Sequence, residues 1–367
     1  MPECGAAQAF ATAELAPTTA VQRSVLERMP KWLICVPLTG QWLWLALRHG
    51  SSTLPSAANP AITAGGLVGE GKLEYFNAMG AVAQAATAVH CAIKTGLSAP
   101  TVPLQQTLAD AGLVFPLIAK PDLGMCGHGV RLVADAQALG AYIGAFPAGH
   151  TIVLQEYLPQ SGEAGIFYAR HPDQPRGEVI GLALRHFPSV TGDGVSSMAQ
   201  LVAADPRVQR LLNRPDHECV YDGHVVLPSG HVVRLATIGS TRVGGLYRDG
   251  GRWITPALTA AIDAIARDMP DFHFGRFDVR FDSLAELGQG QAFKIMEVNG
   301  AGSEAIQAWD PDTPLVTAFR TIFAKQALLF AIGAANRRRG HRPVGLLLLA
   351  QLHWMQLQLL KRYPPSN

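Results

Sequence analysis

Residues 115–130, FPLIAKPDLGMCGHGV, join a short apolar run to a loop that is rich in glycine. The apolar run is typical of a buried β-strand, and it ends at Lys120. Gly124, Gly127 and Gly129 follow, and a residue without a Cβ lets backbone N–H groups approach phosphate oxygens closely. The lysine precedes the glycines, so the order is not that of a P-loop. Taken alone, the stretch fits a phosphate-binding hairpin and a hairpin with a solvated lysine equally well.

Length and composition exclude several classes of protein. A chain of 367 residues is long enough for two or three domains, and 48% hydrophobic with 16% charged residues is the composition of a folded protein. A net charge of +2 provides no basic field for nucleic acid, so we expect no nucleic-acid partner. Five cysteines without a CxxC pair favour a reducing compartment. The N-terminus lacks the pattern of a secretory signal, and the expected location is cytoplasmic.

Changes in composition divide the chain into segments. Residues 31–38, KWLICVPL, are expected to form a strand, and the alanine-rich residues 78–95 a helix. Further along, strand-like runs with interspersed helices, several of them linked as hairpins, predict α+β layers rather than an all-parallel sheet. The four segments are a mobile leader (1–30), a small N-terminal α/β domain (31–100), the main α+β domain (101–335) and a basic, leucine-rich C-terminal helix (336–367).

The apolar part of the last segment, 343–362, has cations on both sides. Its leucine-rich run of about 17 residues is at the lower limit for spanning a bilayer. Gln351, His353, Gln356 and Gln358 would lie on both sides of the helix, which weakens a spanning and an amphipathic interpretation alike. Three arrangements stay open: packing on the protein or on a homodimer mate, peripheral contact with the inner face of a membrane, and a membrane span.

Two strand-like stretches near the end of the main domain, FGRFDVRF and FKIMEVNG, carry oxygen-bearing side chains. Glu297 and Asn299 alternate along one strand and share a face, and Asp278 lies on the other strand. Carboxylate and amide oxygens suit Mg²⁺, which is usually held by one or two carboxylates and the phosphates of a nucleotide. The alternative is a set of salt bridges between these carboxylates and Arg276 or Arg280.

A third stretch, LQEYLPQSGEAGIFYAR, lies between the lysine strand and the carboxylate strands. A strand that ends in Gln155–Leu158 would offer edge backbone groups to a flat heterocycle. Glu163, seven residues after Glu156, is placed to accept hydrogen bonds from ribose hydroxyls. Without its neighbours, the stretch is only a strand, a turn and another strand.

The order of these parts resembles that of the ATP-grasp superfamily. Within it, the chain is most similar to the D-alanine–D-alanine ligases and the cyanophycin synthetase-like carboxylate–amine ligases. The resemblance covers roughly residues 100–320, and SVTGDGVSSMAQLV (189–202) is similar to a GDG-containing loop of the cyanophycin and glutathione ligase branch. It implies an ATP-grasp fold, in which two α+β subdomains clasp ATP. It also implies a ligase that activates a small carboxylate as an acyl phosphate and joins it to an amine.

The resemblance further implies a role for each motif. Asp278, Glu297 and Asn299 would hold Mg²⁺, with Mn²⁺ as a second option. Arg276, together with Lys120, would stabilise charge on the transferred phosphoryl group or on the tetrahedral intermediate. The nucleotide would be bound by residues of the first and third motifs, namely Lys120, Gly124, Gly127, Gly129, Gln155, Glu156, Tyr157, Leu158 and Glu163.

Other cations stay open as contacts of the nucleotide or substrate. Arg185, His186 and Arg242 are candidates, and surface cations are an equally good interpretation of them. Members of the family usually have a second lysine upstream, and Lys72 and Lys94 compete for that position. Two other functions also remain open: a non-catalytic MgATP-binding module, and an ATP-dependent phosphotransferase with a non-carboxylate acceptor.

Overall fold

The computed structural model describes residues 23–96, 103–212, 214–216, 218 and 221–367. The helices are α1 (Val25–Arg28), α2 (Lys31–His49), α3 (Lys72–Asn77), α4 (Ala81–Ala86), α5 (Leu104–Asp110), α6 (Ala136–Ala145), α7 (Met198–Ala204), α8 (Gln209–Leu212), α9 (Pro256–Arg267), α10 (Leu284–Gly288), α11 (Leu315–Arg338) and α12 (Leu346–Leu360). The strands are β1 (His90–Lys94), β2 (Leu117–Pro121), β3 (Arg131–Val133), β4 (Thr151–Glu156), β5 (Gly162–Ala169), β6 (Glu178–His186), β7 (Ser189–Thr191), β8 (Val232–Arg234), β9 (Leu246–Asp249), β10 (Phe274–Phe281) and β11 (Phe293–Asn299).

Two antiparallel sheets organise these elements. The first has the strand order β1-β4-β2-β3, and its core with α5 and α6 includes Leu108, Leu117 and Leu139. The second has the order β11-β10-β5-β6-β9 and packs against α9. A smaller unit of β7, β8, α7 and α8 has its own apolar core. Helices packed on antiparallel sheets confirm the predicted α+β class.

The stretch 31–38 is the beginning of helix α2, so the prediction of a strand there is wrong. Its aromatic and β-branched residues favour a strand locally. The apolar pattern continues for 19 residues, however, and buries Ile34 and Leu45 on one side. The Gln41 side chain of α2 also donates to Phe323 O of α11 at 2.7 Å. Packing against α11 therefore overrides the local preference.

The helix expected at 78–95 is shorter than predicted. It is helical over α4, and the chain then enters β1, in which His90 lies opposite Gln155 of β4. Pairing with β4 supplies the main-chain hydrogen bonds of this segment. The alanine-rich composition gave no indication of this pairing. Segment 31–100 thus contributes a helix that packs on α11 and a strand that joins the first sheet. A separate N-terminal domain stays a prediction.

Residues 1–22 of the predicted leader lie outside the described residues. The following residues form α1, in which Leu26 is buried. Glu27 of this helix makes an ion pair with Arg207 at 2.8 Å. The described part of the leader therefore packs against the body of the protein.

The C-terminal segment packs against the first sheet and its loop. Tyr363 stacks on Phe146 with ring centroids 5.1 Å apart, and its hydroxyl donates to Leu123 O at 2.6 Å. Of the arrangements left open by the sequence, packing on the protein is therefore present for part of this segment. By length and composition alone, α11 is the one helix among the described residues that could cross a membrane, and α12 is shorter.

Candidate functional site

A cleft of about 590 Å³ contains most of the residues singled out from the sequence. Its walls come from both sheets, from the glycine loop at 122–130 and from helices α11 and α12. This volume is within the range of pockets that bind small molecules and cofactors. The cleft is therefore the candidate active site.

Lys120 lies at the end of β2 and is buried in the wall of the cleft. Its ammonium donates to Gln155 Oε1 at 2.7 Å and to Met296 O at 2.8 Å. Met296 is skipped in the register between β10 and β11, so a bulge leaves its carbonyl available to the lysine. Burial lowers the pKa of Lys120 to about 8, against the opposing effect of Glu297. A cation held in this way is positioned for an anionic ligand.

Lys72, at the beginning of α3, is the upstream lysine that reaches the cleft. Its Nζ lies 3.3 Å from Glu297 Oε1 and 3.3 Å from Asp122 O. Lys94 is an exposed residue of β1, which is an edge strand of the first sheet. Burial raises the pKa of Glu297, but Lys72, Lys120 and Arg276 together outweigh burial, so the pKa lies below its usual value. The geometry favours Lys72 over Lys94.

Asp278 and Glu297 face each other across the β10–β11 pair. Arg276 binds the Asp278 carboxylate through two contacts, Nε to Oδ1 at 2.6 Å and Nη2 to Oδ2 at 2.9 Å. Arg185 Nη1 lies 3.2 Å from Asp278 Oδ2, and the Asn299 amide donates to the same oxygen at 3.2 Å. The three predicted metal ligands therefore converge, and cations neutralise their charge.

The donor set fits Mg²⁺ in its chemistry. Two carboxylates and an amide oxygen at facing positions are hard donors, and phosphates of a nucleotide would complete the coordination. Among the described residues, no group of three or more His, Cys, Asp and Glu side chains is placed to hold a metal by itself. Three oxygen donors leave the coordination of Mg²⁺ incomplete, so the set is suited to a metal that arrives with a nucleotide.

Glu163 lies in the same charged network, on β5. Its Oε1 is 3.0 Å from Arg185 Nη1, and its Oε2 is 3.3 Å from Arg280 Nε. Arg280 was considered from the sequence only as a salt-bridge partner of the metal ligands, and it pairs with Glu163 instead. Both carboxylate oxygens of Glu163 thus have cationic neighbours inside the cleft wall.

The expected adenine segment differs from the prediction in one respect. Strand β4 lies between β1 and β2, so it is not an edge strand. The Glu156 N–H donates to Val89 O at 2.9 Å, and the Glu156 side chain accepts from Val89 N at 2.8 Å. Tyr157 and Leu158, which follow the strand, line the cleft together with Gln155 and Glu156.

The glycine loop is fixed by residues on two sides. Gly124 and Gly127 line the cleft, whereas Gly129 lies against Pro121 and Tyr363, where a Cβ would come within 2.9 Å of Pro121 Cγ. Arg242 donates to Cys126 O at 3.1 Å and to Gly127 O at 3.2 Å. Arg242, a candidate phosphate contact from the sequence, therefore holds the loop. His186, the other open candidate, ends β6 and is not among the described residues that line the cleft.

Several residues of the cleft were not predicted. Burial raises the pKa of Glu70 to about 7, and its Oε2 has no hydrogen-bond partner. Lys325 of α11 donates to Ser303 O, and burial lowers its pKa to about 8. His353 and Gln356 of α12 also line the cleft. These last two had a signal, because they are polar interruptions of a leucine-rich run.

No protein-family model matches the chain, and no curated protein sequence matches it. Its fold is similar to that of a bifunctional glutathione synthetase from Pasteurella multocida, with 15% identity, a TM-score of 0.35, and coverage of 69% of this chain and 36% of that chain. A D-cycloserine synthetase has 14% identity and a TM-score of 0.38, over 73% of this chain and 69% of that chain. A D-alanine–D-alanine ligase from Bacillus anthracis complexed with ATP has 13% identity and a TM-score of 0.32, over 66% of this chain and 61% of that chain. The chain thus spans 36% of the length of the glutathione synthetase. These similarities concern the fold alone, and the chemistry is argued from the cleft.

Proposed function

We propose that this chain is an ATP-dependent ligase of the ATP-grasp type that joins a carboxylate to an amine. The supporting observation is the convergence of Lys72, Lys120 and Arg276 with the facing carboxylates Asp278 and Glu297 in a cleft bordered by a glycine loop. Cations for a triphosphate and oxygen ligands for its metal are the two requirements of phosphoryl transfer from ATP.

In this proposal, Lys72 and Lys120 bind the phosphates, with the backbone of the glycine loop as additional donors. Asp278, Glu297 and Asn299 would hold Mg²⁺, or Mn²⁺ in its place. When bound, the metal ion supplies positive charge beside the phosphates. The triphosphate would take over the contact that Lys72 now makes with Glu297, because it carries more negative charge.

The reaction would transfer the γ-phosphoryl group of ATP to a carboxylate, which gives an acyl phosphate and ADP. Attack by an amine then forms the amide bond and releases phosphate. Such catalysis depends mainly on positioning and on neutralisation of charge. Arg276, fixed by its two contacts with Asp278, would stabilise the charge that develops on the transferred group.

Formation of a hydroxamate tests the proposal. The protein is incubated with MgATP, hydroxylamine and pools of amino acids and other small carboxylic acids, and ADP and hydroxamate are measured together. We expect both products from one pool. ADP without an acyl product would favour a phosphotransferase with a non-carboxylate acceptor. Binding of MgATP without ADP would favour a non-catalytic module.

The same proposal includes small-molecule carboxylate and amine substrates, no nucleic-acid partner and a cytoplasmic location. A homodimer stays a prediction from the sequence. Gel filtration with light scattering measures the mass of the assembly directly.

A further inference from the structure

Charge is distributed unevenly along this chain. Residues 28–69 and 313–367 contain no Asp or Glu, although together they contain eleven Lys and Arg. The rest of the chain therefore holds all 28 acidic residues and only 19 of the 30 basic ones. A protein with a net charge of +2 thus has a net positive part and a net negative part.

The two acid-free segments pack together. Arg337 Nη2 at the end of α11 donates to His49 O at the end of α2 at 2.8 Å. Just before α12, Val344 N donates to Ser56 Oγ at 2.9 Å. Helices α2 and α11 are therefore in contact, and the segment just before α12 is bonded to the segment that follows α2. The three helices are here called the helical layer.

The outer face of α2 is apolar. Trp32, Val36, Leu43 and Leu47 recur at the spacing of one helix face, and all are exposed, Trp32 by 67% and Leu47 by 84%. The opposite side of the helix is buried against the protein. Helices on the surface of a soluble domain usually present polar residues outward, and a large exposed apolar face indicates an interaction surface.

Helix α12 exposes apolar side chains too, with Gln351 and Gln358 exposed between them. Leu347 is 88% exposed and Trp354 62% exposed. Exposed cations flank the helix, with Arg342 before it and Lys361 after it. An exposed tryptophan beside exposed leucines, on a helix with cations before and after it, is typical of a helix that lies in a membrane interface.

We propose that the helical layer docks on the surface of an anionic lipid bilayer. Apolar side chains of α2 and α12 would enter the interface, and the cations would lie against acidic headgroups. A second copy of the chain fits this surface less well, because a two-fold axis would oppose like charges. A surface position also fits α11 better than a span, since Lys325 lines the cleft and the end of the helix is buried.

Flotation of the full-length protein with lipid vesicles tests the proposal. We expect binding to vesicles of phosphatidylcholine with phosphatidylglycerol that is more than about tenfold stronger than binding to phosphatidylcholine alone. Salt should weaken this binding. Absence of binding to the anionic vesicles at low salt would overturn the proposal.

Matched variants locate the contact. Trp44 is a further exposed residue of α2, 55% exposed. Trp32→Ser with Trp44→Ser should abolish binding to anionic vesicles, and so should Arg342→Glu with Lys361→Glu. Val114→Ser, at an apolar residue that is 77% exposed outside the layer, should leave binding unchanged. Equal loss in the Val114 variant would overturn the assignment to this face. So would self-association in solution that the tryptophan substitutions abolish, since it would assign the face to a second copy.

Discussion

Lys72 Nζ and Glu297 Oε1 lie 3.3 Å apart, one at the beginning of α3 and the other near the end of β11. This pair joins the N-terminal part of the chain to the predicted metal site. It also places a second cation beside the site of Lys120, because Lys120 donates to the carbonyl of Met296, the residue before Glu297. Two lysines and a carboxylate therefore meet where the proposed function requires phosphates and a metal.

Replacement of Lys72 tests its role against the competing lysine. Lys72→Met should raise the Kd for ATP by about 10- to 100-fold, since a hydrogen bond to a charged group contributes about 1.5–3 kcal/mol. Lys94→Met should leave the Kd unchanged, because Lys94 is exposed on an edge strand. Isothermal titration calorimetry measures both values. Equal Kd values for the two variants would contradict the placement of Lys72 in the nucleotide site.

Glu297→Gln should remove Mg²⁺-dependent turnover while the protein stays folded. The substitution keeps the shape of the side chain but removes its negative charge, and we expect ADP release to fall by at least about 100-fold. Thermal unfolding followed by circular dichroism monitors the fold. Glu178→Gln, at an exposed position in β6, is the matched control and should keep full turnover. Full activity of the Glu297 variant would refute the metal assignment.

Glu70 provides a test through the pH dependence of stability. Burial raises its pKa from 4.5 to about 7, so the folded protein favours the neutral carboxyl group. The stabilisation of the folded state by the neutral carboxyl group is fully present below about pH 4.5 and is lost as the pH rises through about 7. Glu70→Gln keeps a neutral group at every pH. The variant should therefore be more stable than the parent by about 2 to 3 kcal/mol above pH 7, and similar to it near pH 4.5.

Urea unfolding at about pH 5 and about pH 8 measures the difference in stability between the variant and the parent. In the folded parent, the Glu70 carboxyl group is mainly neutral at the lower pH and mainly charged at the higher pH. The gain in stability should appear mainly at the higher pH. An equal gain in stability at both pH values would show that the charge of the Glu70 carboxylate is not its cause.

The sequence indicated those residues of the cleft whose position depends on local patterns. Lys120 before the glycine loop, and Asp278, Glu297 and Asn299 on alternating strand positions, could be assigned because strand periodicity determines which residues share a face. Lys325 could not be assigned from the sequence, since it reaches the cleft through the packing of α11 against the rest of the protein.

The errors in secondary structure have a similar origin. The residues at 31–38 have the composition of a strand, but Ile34 and Leu38 pack with residues of α11, which favours the helix. Glu156 was expected at a sheet edge, but β1 covers that edge. The order of strands in a sheet cannot be read from the sequence of one strand. Long-range packing thus decided both cases.

Two features of Gly127 in the glycine loop disfavour a side chain: its positive φ and the close approach of a neighbouring residue. Its φ is +74°, and an added Cβ would lie 2.8 Å from Ile238 Cδ1. Gly112 has a similar φ of +68° with no atom within 4 Å of an added Cβ, so Gly112→Ala is the matched control. The control should lose about 1 kcal/mol of unfolding free energy from strain alone. Gly127→Ala should lose more, and it should also weaken ATP binding, because either the loop or the Ile238 side chain, which also lines the cleft, must shift. Urea unfolding and calorimetric titration with ATP measure the two effects, and unchanged ATP affinity in Gly127→Ala would separate the loop from the nucleotide site.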